Sequence, residues 1–147
     1  MPNPDPSASP STGSPIAERL GIRAGMIVQE LGYDEDTDES VAVAIEKFLG
    51  TNLVDADSDE VIDAVLFWYR DGDGDLVDLL VDAIGPLAED GVIWLLTPKR
   101  GRDGYVEASD ISEAAPTAGL TQTSMISVGP DWAGARLAPR RARPEKR

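Results

Sequence analysis

The chain has 147 residues with 27 acidic and 13 basic side chains, contains neither histidine nor cysteine, and carries a net charge of −14. Without imidazole or thiol it cannot build a Ser-His-Asp triad, a cysteine nucleophile, a disulfide framework, or a zinc or haem site of the usual nitrogen and sulfur type. Its chemistry must run on carboxylates, hydroxyls, Lys, Arg and backbone amides.

A hydrophobic fraction of 41% is ordinary for a globular protein, and a chain of this length can bury roughly 70% of its unfolded surface around one core. No apolar run approaches the roughly 20 residues of a spanning helix, and the N-terminus lacks the basic and apolar regions of a secretion signal. The expected location is cytoplasmic, with no membrane partner. Residues 1–15 hold five prolines and four serines with almost nothing apolar, so they read as a disordered leader. Residues 16–138 read as a single α/β domain and 139–147 as a basic flexible tail. Residues 30–90 carry 19 acidic and two basic side chains, so the negative charge is concentrated in the first half of the domain.

The apolar pattern of that domain alternates between two periods. Residues 26–31 are a short apolar-rich run between Gly25 and Gly32 and predict a first strand. Residues 40–49 place Val41, Ala44, Ile45, Phe48 and Leu49 on one helical face, with Ser40 as N-cap and Gly50 as stop. Residues 52–54 offer a minimal strand. The continuous apolar run 64–69 (AVLFWY) predicts a central strand covered on both faces. From Asp75, apolar positions from Leu76 to Leu87 recur at helical spacing, with Asp78 and Asp82 on the opposite face and Gly85-Pro86 ending the last turn. Residues 92–96 (VIWLL) predict a second buried strand after a turn at Asp90-Gly91, halted by Thr97-Pro98. Ser109 predicts the cap of a short helix that Pro116 kinks or ends. Residues 121–128 and 133–138 are two further strands, separated by the turn signal Gly129-Pro130-Asp131.

Strands alternating with helices of this length imply right-handed crossovers and a parallel sheet, and the short final connection permits an antiparallel pair. The fold class expected is a three-layer Rossmann-like α/β sandwich, with a mostly parallel sheet of five or six strands and an antiparallel C-terminal strand.

In such a sheet, function gathers beyond the carboxyl ends of the strands. The first loop there, residues 32–39, has five carboxylates in its last six positions, where a nucleotide binder would have a Gly-rich turn feeding amides to phosphate. The carboxylates instead suit the N-terminal dipole of the following helix. The second loop, Asp71-Gly-Asp-Gly-Asp75, spaces oxygen ligands as a calcium loop does. It fails at the sixth position, which is Leu76, and at the twelfth, which is Asp82. A looser divalent-cation site shared with Asp34 or Asp36 is one reading of it, and a capping turn led by Asp75 is the other. The third loop, residues 97–102, brings Lys99, Arg100 and Arg102 to the end of a buried strand, either to bind an anionic ligand or to pair with the neighbouring acidic loops.

Trp68 and Trp94 lie within continuous apolar strands and read as core, whereas Trp132 sits in a Gly-rich turn as a lid on the sheet edge or an exposed anchor for a partner. The basic tail suggests nucleic acid, but a chain this acidic would be repelled from DNA over most of its surface, so nucleic acid is not an expected partner.

Residues 21–26 (GIRAGM), 28–36 (VQELGYDED), 68–78 (WYRDGDGDLVD), 91–99 (GVIWLLTPK) and 113–121 (EAAPTAGLT) together resemble the actinobacterial family known as domain of unknown function 3052. The resemblance covers nearly everything between the two tails and implies no established activity and no catalytic residue. Wider relatives are similar to the Rossmann-like scaffold of class I methyltransferases, including its terminal antiparallel strand, although the Gly-rich cofactor turn is absent here.

Two functions are carried forward. The favoured one is a non-catalytic interaction or regulatory module meeting a protein partner through the crevice bounded by Asp34, Asp36, Asp71, Asp73 and Trp132. The alternative is a small-ligand or cofactor binder, such as a degenerate S-adenosylmethionine-dependent methyltransferase, using Arg70, Lys99 and Arg102 for an anion. No resident cofactor and no catalytic residue are expected.

Overall fold

Apart from the minimal strand at 52–54, each expected strand and helix is present, with shifted bounds, in the computed structural model, which describes residues 14–139 and adds a short helix before the first strand. The elements are α1 (Ser14–Arg19), β1 (Val28–Leu31), α2 (Glu39–Leu49), β2 (Ile62–Trp68), α3 (Leu76–Ile84), β3 (Leu87–Pro98), α4 (Ala108–Thr117), β4 (Leu120–Val128) and β5 (Trp132–Pro139). The expected leader and basic tail lie outside the described residues, except that residues 14 and 15 open α1 and residue 139 closes β5.

The five strands form one sheet in the order β1-β2-β3-β5-β4. The β1–β2 and β2–β3 pairs are parallel, and β5 runs antiparallel to both β3 and β4. This is the mostly parallel sheet with an antiparallel C-terminal strand that the element pattern implies. The apolar faces of α1 and α2 pack on one side against Leu66, Trp68, Trp94 and Leu96. Those of α3 and α4 pack on the other against Val65, Phe67, Ile93 and Leu95. Alternating side chains of the same two strands therefore supply both cores.

After α2 the chain steps to the outer edge of β1. There Val54 makes a single parallel bridge with Gln29, its N–H donating to Val28 O at 2.9 Å and its carbonyl accepting from Glu30 N at 2.9 Å. The minimal strand expected at 52–54 shrinks to this one residue. The chain then crosses back to β2 on the other side of β1, so the direction of strand addition reverses between β1 and β2. Right-handed crossovers running in opposite directions place their helices on opposite faces, as α2 and α3 are found. This reversal is what positions the candidate site.

Local chemistry moves several expected boundaries. The N-cap of α2 is Asp38, whose carboxylate accepts from Ser40 N at 3.0 Å, so the acidic loop outcompetes Ser40 for that role. Asp75 caps α3 as expected. That helix ends at Ile84, and Leu87 begins β3 instead of closing the helix. The Asp90-Gly91 turn signal falls inside β3, where the register against β2 shifts: Ile62 pairs with Leu87 but Ala64 with Val92. The residues that favour a turn here make a bulge. Glu107, not Ser109, occupies the N-cap of α4, without a side-chain cap bond, and Pro116 lies one residue before its end.

At the end of β1, Gly32 has φ +76°, and a Cβ there would lie 2.1 Å from Trp68 O. Gly50 has nearly the same φ, +75°, but open space around it. Gly32→Ala is therefore expected to destabilise the protein by about 3 kcal/mol, and Gly50→Ala by only about 1 kcal/mol. Urea unfolding of the two variants measures the difference; equal losses would mean that β1 and β2 do not close against each other there.

Candidate functional site

Arg70 follows β2 at its carboxyl end, and its guanidinium turns back over the ends of two strands. Nη1 donates to Gly32 O at 3.0 Å, to Trp68 O at 3.3 Å and to Asp73 Oδ2 at 3.1 Å. Nε donates to both carboxylate oxygens of Asp36, at 2.8 and 3.1 Å, and Nη2 completes the fork on Asp36 Oδ1. The Arg70 side chain is only 14% exposed, against 44% for Asp36. Bidentate geometry of this kind is the strong form of the Arg–carboxylate pair. The hydrogen bond from Arg70 holds the Asp36 carboxyl below the usual range, and the same bond raises Arg70.

The three charged loops meet around this guanidinium. Asp71 N donates to Gly104 O at 2.9 Å, joining the second loop to the third. Arg102 pairs with Asp131 at 3.1 Å, while Lys99 Nζ donates to Ser127 Oγ and to Gly129 O. All three candidate cations, Arg70, Lys99 and Arg102, thus have internal acceptors. Asp34 lies just after the end of β1, its Oδ1 accepting from Glu35 N at 2.8 Å, and Asp71 is exposed. Among the described residues, no group of three or more acidic side chains is placed to hold a metal ion.

Trp132 corrects an expectation. It is neither a lid nor an exposed anchor: it opens β5, is 2% exposed, and meets the Trp68 ring edge-on at 4.8 Å between centroids. Arg70 lies 5.4 Å from its ring centroid, and its Nε1 donates to Asp36 O at 3.3 Å. The Gly-rich turn suggests exposure, but strand pairing with Pro98 and Val128 draws the indole into the core. Trp68 and Trp94 are core residues as expected.

Beside Arg70 a cleft of about 560 Å³ opens between β1, the return segment at Ala56 and the flank of α3. Its apolar lining includes Leu31, Phe67, Leu79 and Ala83, and its polar lining includes Gln29, Tyr33, Asp34, Asp73 and Asp82. It exists because α1 and α2 cover the other face of β1, and α3 does not reach across to it. Gln29 is 3% exposed. Its Nε2 donates to Asp55 O at 3.0 Å, which leaves Oε1 without a hydrogen-bond partner among the described residues. On the opposite face of β1, Glu30 accepts from Trp68 Nε1 at 2.8 Å, and burial raises its carboxyl above the ordinary value.

Of the residues singled out in the sequence, Asp34, Arg70 and Asp73 line this cleft, and Asp36 borders it through Arg70. Lys99, Arg102 and Trp132 lie on the side toward β5. Gln29, Tyr33 and Asp82 are the polar lining residues that were not singled out in the sequence. Gln29 is a neutral polar residue inside a strand run, a detectable signal, whereas Asp82 reads as an ordinary solvent-facing helix position.

Three outcomes follow. Asp36, held low, contributes stability that is present above its unfolded pKa of about 3.9 and is lost as the pH falls through its lower folded value. Asp36→Asn should therefore flatten the acid limb below about pH 4 and, because the pair is partly exposed, destabilise by about 1 kcal/mol at pH 7. Arg70→Met, which strips two strand-end carbonyls of a donor, should cost about 2 to 3 kcal/mol. Glu30 has the opposite sign: its raised pKa means stability falls as the pH rises from about 4.3 through the folded value. Glu30→Gln should stabilise by a few tenths of a kcal/mol at pH 7. Thermal unfolding between pH 3 and pH 8 checks all three, and parallel curves for wild type and Asp36→Asn would contradict the assignment.

Comparison with known proteins places this geometry. Solved methyltransferases share the fold at low identity. A putative sarcosine dimethylglycine methyltransferase from Galdieria sulphuraria has a TM-score of 0.64 at 10% identity, over 88% of this chain and 85% of that one. A SAM-dependent methyltransferase from Aquifex aeolicus has a TM-score of 0.56 at 11% identity, over 85% of this chain and 88% of that one. The mitomycin 7-O-methyltransferase MmcR has a TM-score of 0.61 at 9% identity over 87% of this chain, which spans about half, 54%, of MmcR. Uncharacterised proteins of Mycobacterium tuberculosis and Mycobacterium bovis are each 56% identical over 134 residues, 91% of this chain and 84% of theirs. The model of the family described as protein of unknown function DUF3052 matches residues 17–141, and the chain belongs to that family.

Proposed function

We propose that this chain is a non-catalytic binding module, regulatory in role, that takes a small organic ligand in the cleft between β1, α3 and Ala56. The observation that carries this reading is the position of the cleft, at the reversal of strand addition between β1 and β2. Ligands of open α/β sheets bind at such a point, and a pocket of several hundred Å³ with an apolar floor and a few polar groups suits a small molecule. The methyltransferase-like scaffold puts S-adenosylmethionine among the ligands to try.

The charged groups at the rim support the non-catalytic part of this reading. Acid–base catalysis needs a group poised near neutrality. At this rim Asp36 is driven down and Arg70 up, each locked to the other, and Tyr33 is raised by the hydrogen bond it donates to Glu39. A protein partner at the rim is a second reading, favoured by the exposed carboxylates of residues 34–36. With Trp132 buried, that surface does not present the tryptophan anchor that a docking site could have used.

The test is thermal unfolding against a panel of nucleosides, S-adenosylmethionine, S-adenosylhomocysteine and aromatic amines, repeated with Ala56→Trp, which fills the cleft from an exposed position. A ligand at 100 times its Kd should add about 2.7 kcal/mol of stability, and Ala56→Trp should abolish the gain. A gain that survives Ala56→Trp, or a panel without any gain, contradicts the reading. Product formation from S-adenosylmethionine contradicts its non-catalytic part.

A further inference from the structure

Building on the proposed binding role, we infer that the cleft selects ligands that donate hydrogen bonds and carry positive charge: a protonated amine or amidine on a flat apolar body. Three observations converge. First, the buried Gln29 has its Nε2 tied to Asp55 O, and its remaining polar atom is the acceptor Oε1. A buried acceptor without a partner is unfavourable, so a donor supplied by the ligand is worth more here than at an exposed position.

Second, the charge at the cleft is negative. Asp34, Asp73 and Asp82 line it, and among the described residues the single lining cation, Arg70, is committed to Asp36 and Asp73. A phosphate or carboxylate entering beside Gln29 would meet an acceptor and carboxylates, with no free guanidinium to compensate. A cation meets the reverse.

Third, the remaining surface is flat and apolar. Leu31 and Phe67 pair across β1 and β2, Leu79 and Ala83 approach from α3, and the 57% exposed Tyr33 stands at the mouth. Its ring can face a cation while its hydroxyl donates outward to Glu39. The site is therefore built for a body that buries apolar area and ends in a donor.

The experiment titrates the 15N-labelled full chain with three probes that share one ring and differ in charge: 2-(1-naphthyl)ethylamine, 2-(1-naphthyl)ethanol and 1-naphthylacetate. The amine is expected to shift the amides of Leu31, Phe67 and Leu79 and to bind at least about tenfold more tightly than the carboxylate, with the alcohol between them. Gln29→Met should reduce amine affinity several-fold. Asp82→Asn, at an exposed helix position that leaves the core intact, should reduce the preference for amine over alcohol. A carboxylate that binds as tightly as the amine overturns the inference but leaves the ligand-binding reading standing. An amine preference untouched by both variants overturns the assignment to Gln29 and Asp82. If all three probes leave those amides unmoved, both the inference and the reading beneath it fall.

Discussion

One guanidinium holds the functional end of this molecule together. Arg70 supplies donors to the carbonyls that end β1 and β2, to the carboxylates of Asp36 and Asp73, and lies against the ring of Trp132. These groups come from the first loop, the end of β2, the second loop and the start of β5. Five fixed donors in one plane are what Arg offers and Lys does not. The consequence is electrostatic as well as mechanical, because Arg70, the one cation lining the cleft among the described residues, is consumed in building it.

The cleft itself follows from connectivity. A helix after β1 packs on one face, the chain touches the outer edge of β1 through Val54 alone, and the next crossover lands α3 on the other face. The opposite surface of β1 is left with only the flank of α3 and the return segment to cover it. In a longer sheet a further strand and helix would close this gap. Here it stays open, floored by Leu31 and Phe67, with Gln29 buried among apolar neighbours. The fold is shared with methyltransferases, but the loop after β1 carries carboxylates where a phosphate binder would present glycine amides.

The strands and helices were legible because burial on both faces leaves an unbroken apolar run, as in residues 64–69, and burial on one face leaves a period, as in α2. The family resemblance was legible from short motifs, and the convergence of three charged loops from the rule for carboxyl ends of parallel strands. What was not legible depended on tertiary partners. Trp132 looked exposed because its turn is Gly-rich, but strand pairing on both sides overrides that local signal. Asp90-Gly91 reads identically whether the chain reverses or bulges. The anion-binding reading of Arg70 and Lys99 needed the knowledge that Asp36, Ser127 and Gly129 reach them first. Gln29 is visible in the sequence as a polar residue inside a strand run, but its unpaired acceptor depends on where Asp55 O lies.

The most direct test of this account is residue-resolved hydrogen exchange on wild type and Arg70→Met under native conditions. If one guanidinium organises the end of the sheet, the amides of residues 32–37, 71–73 and 99–105 lose protection together, while Val65, Leu66 and Ile93 in the strand interiors keep theirs. Faster exchange confined to residues 70–73 would show that the three loops are held independently and would contradict the account.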